Sequence, residues 1–393
     1  MNIYLWKKLY QNNKLLKLYL GKFIGIIPAL LVIPLSKIFD NAEFTKTIIT
    51  KIPLTNILNI VISYSLFYEI TNSKLSYKPF FRRWLIITKY VKIICISFII
   101  IGIATQNLFF CIYVVALIYN QIYMAYALKN LNYFRFCFGE LSRPTSLCLG
   151  LLTIKFLLPN NYHNVSNMFL ISAVFQIVFI TTVNKLKLNN PYLNSKLTRK
   201  DLFYLKGIIS RNFSLGLIPL MQAFYVERIR NFFVIYQANY FFLTLVQDYS
   251  TKLSTIIGQP LNNYLLHVVK SNKTKYRKYT QHILSLCVVL FVITTSVYFL
   301  ANMDITIYKE LRINLATIML IFVAEINIIS GFILQKPIEI DTNRRYICGL
   351  IFMLNTSIKI FLLITMSKIS TILMISVVAN LIWLTTIRKV SKV

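Results

Sequence analysis

The stretch GKFIGIIPALLVIP, from Gly21 to Pro34, is almost wholly apolar, yet it has a lysine near its start and two prolines inside. A second stretch, RNFSLGLIPLMQAF from Arg211 to Phe224, follows about half a chain later. Residues 25–28 and 216–219 share the pattern Gly-apolar-Ile-Pro. A proline removes one helical hydrogen bond and clashes with the preceding turn. The sequence therefore predicts two long apolar helices that bend at matching places.

The composition indicates a polytopic membrane protein. The 393 residues are 57% hydrophobic and only 14% charged, with a mean hydropathy of +0.63. A soluble protein of this composition would lack polar surface to cover its core. The six cysteines and three histidines are isolated from one another, so we expect neither a metal site nor a cofactor.

Apolar segments of about 20 residues, the length of a spanning helix, can be placed along the whole chain. Spanning barrel strands would alternate polar and apolar residues, so we expect helices. The sequence thus predicts an all-α protein of about 12 transmembrane helices. They cover residues 18–38, 52–70, 84–104, 108–128, 139–158, 166–184, 207–227, 232–255, 281–301, 313–333, 346–366 and 369–387.

The distribution of basic residues predicts the orientation of the chain. With the N-terminus in the cytoplasm, most of the 43 lysines and arginines fall in cytoplasmic segments or within spans. This positive-inside bias favours cytoplasmic termini, and it explains the net charge of +31 without nucleic acid. The outer loops hold only Lys46, Lys51, Arg228, Arg230, Lys309, Arg312 and Lys368.

The longest predicted cytoplasmic connection, KLKLNNPYLNSKLTRKDLFYLK, lies near the middle of the chain. It divides the sequence into an N-terminal half (1–190), a linker (191–206) and a C-terminal half (207–393). Six spans in each half return the second half in the orientation of the first, as in a parallel 6+6 repeat. Paired interruptions at corresponding places point to a central binding site in such transporters, which gives Gly25, Pro28, Gly216 and Pro219 their role as bends.

Basic residues outnumber acidic ones inside the predicted spans. A charge at the centre of a membrane helix costs about 2.5–3.5 kcal/mol, so it usually faces a polar interior. Lys22, Arg143, Arg211 and Lys359 lie too far inside their spans to reach an interface easily. We expect these four residues to line a cationic cavity that suits an anionic cargo, since arginine and lysine both bind phosphate.

Energy coupling would require a different set of residues. The sequence has no GxxxxGK[ST] motif, so ATP is not expected to drive the protein. A proton or sodium ion would need a buried carboxylate, and Asp248 and Glu325 are the deepest ones. Either carboxylate could instead pair with a buried cation, and the sequence leaves both interpretations open.

The chain resembles the polysaccharide (O-antigen) repeat-unit flippases of the Wzx type, in the multidrug/oligosaccharidyl-lipid/polysaccharide (MOP) exporter superfamily, which includes the MATE transporters. The resemblance rests on the charged start, on GKFIGIIPALLVIPLSKIFDNAEFTK, on RNFSLGLIPLMQAFYVERIR and on the tail ILQKPIEIDTNRRYICGLIFMLN. It implies two helical bundles that alternate access to the two sides of a bacterial inner membrane. The implied cargo is an undecaprenyl-diphosphate-linked oligosaccharide, for surface polysaccharide or lipopolysaccharide assembly, and a polysaccharide polymerase is an implied partner.

Two alternatives remain open. One is another MOP-type exporter, such as a multidrug exporter, which would favour an acidic residue in the middle of the first span where this sequence has Lys22. The other is a membrane O-antigen polymerase or glycosyltransferase. Such enzymes usually carry catalytic residues on a large outer loop, and the predicted outer loops are all short. We therefore expect a transporter and not an enzyme.

Overall fold

The computed structural model describes the N-terminal two thirds of the chain almost continuously, together with parts of the C-terminal third. The described residues are 14–39, 41–72, 77–129, 132–157, 165–184, 198–237, 240–249, 251–252, 342–366, 371–373, 375–376, 378–379, 382 and 386. Their regular structure is entirely helical. The predicted spans 281–301 and 313–333 lie outside this set.

Eight long helices account for most of the described residues. They are α1 (Lys14–Lys37), α2 (Ala42–Asn72), α3 (Tyr77–Ala104), α4 (Leu108–Lys129), α5 (Tyr133–Leu157), α6 (Val165–Asn184), α7 (Arg199–Tyr236) and α8 (Thr342–Thr365). A further helical segment covers residues 240–249 and 251–252. The chain divides into two compact units, Met1–Leu220 and Met221–Val393.

Asparagines begin two of these helices. Asn41 accepts a hydrogen bond from the Phe44 backbone N–H at the start of α2, at 3.0 Å. Asn132 accepts one from the Arg135 N–H at the start of α5, at 3.1 Å. An asparagine oxygen satisfies a backbone donor that has no partner within the helix. These two residues therefore fix where α2 and α5 start.

The tight turn between α3 and α4 ends one helix and begins the next. Gln106 has a φ of 57°, in the left-handed region. The Asn107 N–H donates to the Gly102 carbonyl at 2.9 Å, and the Gln106 N–H donates to the Ile103 carbonyl at 3.2 Å. This pair of bonds is a Schellman motif, which closes the C-terminus of α3.

Helix α4 is the centre of the N-terminal unit. It packs against α2, α3, α5 and α6, while α1 packs chiefly against α5. Tyr113 of α4 is fully buried, and its ring packs against that of Phe169 of α6 with centroids 5.3 Å apart and the planes tilted by 43°. Phe110 meets the same ring edge-on at 5.2 Å. Aromatic pairs at these separations stabilise the helix contact beyond the area that they bury.

The outer surface of the N-terminal unit is apolar. On α3, Ile93, Ile96, Ile100 and Ile103 recur at helical spacing and are all at least half exposed. Within the described residues, α4 and residues 165–182 of α6 are long and apolar enough to cross a membrane. Residues 23–37 and 349–365 are shorter apolar stretches of the same kind. An apolar stripe on the outside of such a bundle is what a lipid-facing helix presents.

Several helices extend beyond the predicted spans. Helix α2 begins ten residues before the predicted start at residue 52, so Lys46 and Lys51 lie in a helix and not in an outer loop. Helix α7 has 38 residues and is about 57 Å long, well beyond the ~30 Å hydrocarbon core. It begins at Arg199, within residues assigned to the linker, and ends at Tyr236.

The predicted loop between residues 227 and 232 is therefore wrong. Helix α7 runs through Arg228 and Arg230, and the chain leaves the helix only at Gln237. The loop was placed between the ends of the apolar segments 207–227 and 232–255. In the structure Glu227 contacts Arg228 at 3.4 Å, and Arg230 is buried with a carboxylate partner. Partners within the fold thus let these charges stay helical.

Candidate functional site

A buried polar network links α4, α5 and α6 in the N-terminal unit. Asn120 of α4 donates through Nδ2 to the Gly139 carbonyl of α5 at 2.8 Å. Ser142 donates to the same carbonyl, also at 2.8 Å. Both side chains are only 2% exposed. A carbonyl oxygen has two lone pairs, so both bonds can form at once.

Gln176 of α6 closes the network. Its Nε2 donates to the Ser142 hydroxyl at 2.9 Å, and its Oε1 lies 3.0 Å from the Ser146 hydroxyl. The Ser146 hydroxyl also lies 2.7 Å from the Arg143 carbonyl. A hydroxyl carries one proton, so Ser146 donates to only one of these two oxygens at a time. At any time, therefore, one of the two oxygens beside Ser146 receives no hydrogen bond from this hydroxyl.

Arg143 lies next to this network on α5. Its side chain is partly buried, and its guanidinium interacts electrostatically with the hydroxyl of Tyr113 on α4. In the described part of the chain, the Tyr113 hydroxyl has no hydrogen-bond partner of ordinary geometry. Arg143 thus faces the polar part of the α4–α5 contact, which fits a residue directed away from lipid.

The Gly25–Pro28 segment of α1 is also in contact with α5. A Cβ added at Gly25 would lie 3.4 Å from the backbone carbon of Glu140. The Cys148 thiol donates to the Pro28 carbonyl at 3.1 Å. Helix α1 continues through Pro28 and Pro34 to Lys37. The structure therefore brings three of the predicted site residues, Gly25, Pro28 and Arg143, to the α1–α5 helix pair.

The C-terminal unit contains a second buried cluster, between α7 and the helical segment 240–252. The Arg230 guanidinium donates through Nη2 to Asp248 Oδ1 at 2.8 Å and through Nε to Gln247 at 3.2 Å. Lys252 contacts the other carboxylate oxygen, Oδ2. Arg230 is 5% exposed and Asp248 6%. We call this set, Arg230, Gln247, Asp248 and Lys252, the charge cluster.

Among the described residues of the C-terminal unit, Lys359 of α8 is a further buried cation, with 4% of its surface exposed. Its ammonium lies 5.4 Å from the centroid of the Tyr225 ring. The Tyr225 hydroxyl lies 3.5 Å from the Ser376 hydroxyl. Asn355 and Thr356, one turn before Lys359 on α8, are also buried. The face of an aromatic ring attracts a cation, so the Tyr225 ring is one described contact of the Lys359 ammonium.

The remaining predicted site residues are less fully described. Lys22 lies in α1, and Arg211, Gly216 and Pro219 lie in α7, which continues as a helix through all three positions. The side chains of Lys22 and Arg211 are outside the described part of the structure. Glu325 lies wholly outside the described residues. The assignment of these residues to a cavity stays a prediction.

Sequence reasoning missed two residues that organise these sites. Gln176 is the one long polar side chain in an apolar stretch, VFQIVFI, and that isolation could have marked it. Arg230 was assigned to an outer loop. In the structure it is hydrogen-bonded to Asp248, which lies 18 residues later. A hairpin of two helices brings such positions together, and only the location of the turn reveals the pairing.

Among the His, Cys, Asp and Glu side chains of the described residues, no group of three or more could hold a metal ion. The cysteines whose side chains are described are Cys95, Cys111, Cys137 and Cys148, and all four are free thiols. The chemistry of the described sites therefore consists of hydrogen bonds and charge pairs.

Comparison with known proteins identifies the fold. No protein-family model matches the sequence, and no curated protein matches it significantly. A MATE structure determined in complex with MaL6 has a TM-score of 0.59 at 11% identity, covering 96% of this chain and 95% of that chain. A MATE in complex with Br-NRF has a TM-score of 0.56 at 12% identity, covering 96% and 94%.

An outward-facing multidrug resistance MATE family transporter of the MOP superfamily has a TM-score of 0.53 at 11% identity, again covering 96% and 94% of the two chains. At such low identity the shared property is the fold. The expected MOP-type fold is confirmed at this level, while the number of helices and their 6+6 arrangement stay predictions. The chain has an all-helical fold similar to that of MATE transporters.

Proposed function

We propose that the protein is a multi-pass transporter of the bacterial cytoplasmic membrane. It moves an undecaprenyl-diphosphate-linked oligosaccharide from the inner to the outer leaflet by alternating access, for surface polysaccharide assembly. The MATE-like fold supports a transporter, and the apolar outer surface of α3 supports a membrane location. The flippase specificity rests on charge.

The observation that carries the cargo assignment is the excess of buried cations. Three described charged residues are more than nine-tenths buried: Arg230, Asp248 and Lys359. Two of them are cations, while charges of both signs, among them Arg143 and Glu140, are partly buried in the N-terminal unit. A transporter of cationic drugs needs buried anions to bind its cargo, whereas a diphosphate needs cations. The described interior is better matched to the diphosphate.

The proposal assigns roles to the predicted residues. Lys22, Arg143, Arg211 and Lys359 contact the diphosphate in a cationic cavity, and the chain consists of two six-helix halves, residues 1–190 and 207–393. The bends at Gly25, Pro28, Gly216 and Pro219 let the halves open on alternate sides, with both termini in the cytoplasm. Glu325 remains a candidate for ion coupling together with Asp248, whose two cationic neighbours also support a structural role.

A multidrug exporter is the second candidate, because a structural neighbour is described as a multidrug resistance MATE family transporter. A membrane polymerase or glycosyltransferase is the third, and the transporter fold argues against it. Reconstitution separates the first two. In vesicles, a flippase exposes a fluorescent polyprenyl-diphosphate oligosaccharide to an external quencher, whereas a multidrug exporter moves a cationic dye.

Variants connect transport to the assigned residues. Lys22→Ala and Arg211→Ala should abolish transport of the lipid-linked cargo at normal protein levels, because each removes a charge that binds the diphosphate. Lys22→Arg should retain more activity, since it keeps the charge. Dye transport without movement of the lipid-linked cargo would reject the flippase assignment. Wild-type activity in both alanine variants would reject the assignment of Lys22 and Arg211 to a cationic cavity.

A further inference from the structure

The charge cluster has a feature that a structural ion pair does not need. One carboxylate, Asp248, is shared by two cations through its two oxygens, Oδ1 to Arg230 and Oδ2 to Lys252. A single buried pair would require only one of them. Lys252 is the more accessible cation, with 20% of its side chain exposed against 6% for Arg230. The cluster therefore has an enclosed end at Arg230 and a more open end at Lys252.

The guanidinium of Arg230 is held in a fixed orientation. It donates through Nε to Gln247 and through Nη2 to Asp248. These two described bonds use Nε and Nη2, whereas a guanidinium carries five N–H donors on three nitrogens. A guanidinium presents a rigid fork of donors that fits carboxylate and phosphate oxygens alike. Arg230 is thus oriented by two partners while it retains donors for a third.

We propose that Arg230 and Lys252 form a binding site for a phosphate or diphosphate group, and that Asp248 occupies this site as an internal counter-anion when no ligand is bound. Asp248 is a positioning residue in this scheme. The phosphate oxygens exchange with its carboxylate oxygens on the same donors. No bond is made or broken, and the exchange is one set of charge-assisted hydrogen bonds for another.

Burial explains why such an exchange would be built into the protein. Removing one partner of a buried pair leaves an uncompensated charge and is strongly destabilising. A carrier that binds an anion with buried cations faces this cost each time it returns empty. A carboxylate on the neighbouring helical segment neutralises the donors in the empty state. The buried cations therefore keep a counter-charge while the protein returns without cargo.

This inference rests on the proposed function for the identity of the cargo, but the chemistry of the site stands without it. The test measures binding of inorganic diphosphate to the full-length protein in nanodiscs by calorimetry. Asp248→Asn removes the competing carboxylate, so diphosphate should bind on the order of tenfold more tightly than to the wild type. Arg230→Gln/Asp248→Asn removes the guanidinium and the competitor together, so binding should weaken by at least about tenfold.

The double variant also controls for folding. It leaves no unpaired charge at positions 230 and 248, and Lys252, which loses its carboxylate partner, has 20% of its side chain exposed to solvent. The variant should therefore melt near the wild-type temperature. Arg228→Gln is the matched charge control. It removes one arginine two residues away on α7, where the side chain is 54% exposed, and it should bind diphosphate as the wild type does. Equal binding by the wild type and the folded double variant would overturn the proposal.

A second arm identifies the source of the phosphate. Protein-containing vesicles with and without a polyprenyl-diphosphate lipid are compared for the same variants. Loss of lipid-dependent binding in the double variant assigns the site to a lipid headgroup, and loss of inorganic diphosphate binding alone assigns it to the free anion. If the double variant transports the lipid-linked cargo normally, the inference fails while the proposed function stands. If the wild type transports no such cargo but its diphosphate binding depends on Arg230, the proposed function fails and the site stands.

Discussion

Close approach of α5 and α6 depends on Gly150, and this dependence can be measured. A Cβ at Gly150 would lie 2.2 Å from the Ser172 hydroxyl and 3.1 Å from the Met168 carbonyl. Ordinary contact begins at 3.4 Å, so the hydroxyl would have to move by about 1.2 Å and the helices would separate slightly. Small residues at such interfaces are what allow membrane helices to pack closely.

Gly150→Ala should therefore destabilise the protein. Overpacking of this kind costs about 1–3 kcal/mol, while alanine in place of glycine within a helix returns about 1 kcal/mol. Gly207→Ala is the matched control, because a Cβ at Gly207 on α7 meets nothing within 4 Å. The gain in helix propensity is common to both variants. The difference between their free energies of unfolding should thus be about 1–3 kcal/mol, with Gly150→Ala the less stable.

A second substitution tests the cause. Ser172 is fully buried, and its hydroxyl has no hydrogen-bond partner among the residues that the structure describes, so Ser172→Ala alone should change stability little. In that background Gly150→Ala meets mainly the Met168 carbonyl, and most of its cost should disappear. Unfolding is followed by circular dichroism in detergent with increasing denaturant. An equal cost of Gly150→Ala with and without Ser172 would refute the steric argument.

Three further predictions concern the N-terminal unit. Gly25→Ala should leave expression and melting temperature unchanged, because its Cβ would make only ordinary contacts of 3.4–3.5 Å with α5. If transport requires the bend of α1, transport of the lipid-linked cargo should still fall. Unchanged transport would argue against the bend. Gln176→Met should lower the free energy of unfolding by less than about 1 kcal/mol, because Ser142 and Ser146 can still donate to carbonyls of their own helix. A loss of several kcal/mol would show that the amide itself holds α5 and α6 together. Cysteines placed at Asn161 and Asn194 should label from opposite sides of the membrane, and labelling from one side would contradict the predicted topology.

The sequence predicted the central helices of the N-terminal unit closely. The spans 108–128 and 166–184 differ from α4 and α6 by one residue at an end. Both helices are continuous apolar runs of about the length of a membrane, so hydropathy marks their ends directly. The same method placed the start of α2 ten residues late. Hydropathy detects only apolar runs, and the turn of α2 that follows the Asn41 cap is polar. The start of α2 was therefore missed.

The candidate sites were less predictable because they depend on pairs of residues distant in sequence. Asp248 was identified as a deep carboxylate, but the sequence could not decide between a coupling residue and a partner of a cation. The structure supplies Arg230 and Lys252 as neighbours. The same pairing explains the misplaced loop, since a buried partner allows α7 to continue through VERIRN. The contact between Arg230 and Asp248 thus accounts both for the partner of Asp248 and for the misplaced loop.

The Gly-apolar-Ile-Pro pattern, from which the two-half architecture was inferred, has a second physical basis in α1. Gly25 lies against the backbone of α5 at Glu140, and the Pro28 carbonyl accepts a hydrogen bond from Cys148 of the same helix. The missing N–H of Pro28 frees the carbonyl of residue 24, one turn earlier, whereas the Pro28 carbonyl itself accepts the bond from α5. Both residues thus lie at the contact between α1 and α5, whether or not α1 bends during transport. Because Arg143 lies on α5 between Glu140 and Cys148, a change in the angle of α1 at this contact would act directly on the helix that carries a candidate phosphate ligand.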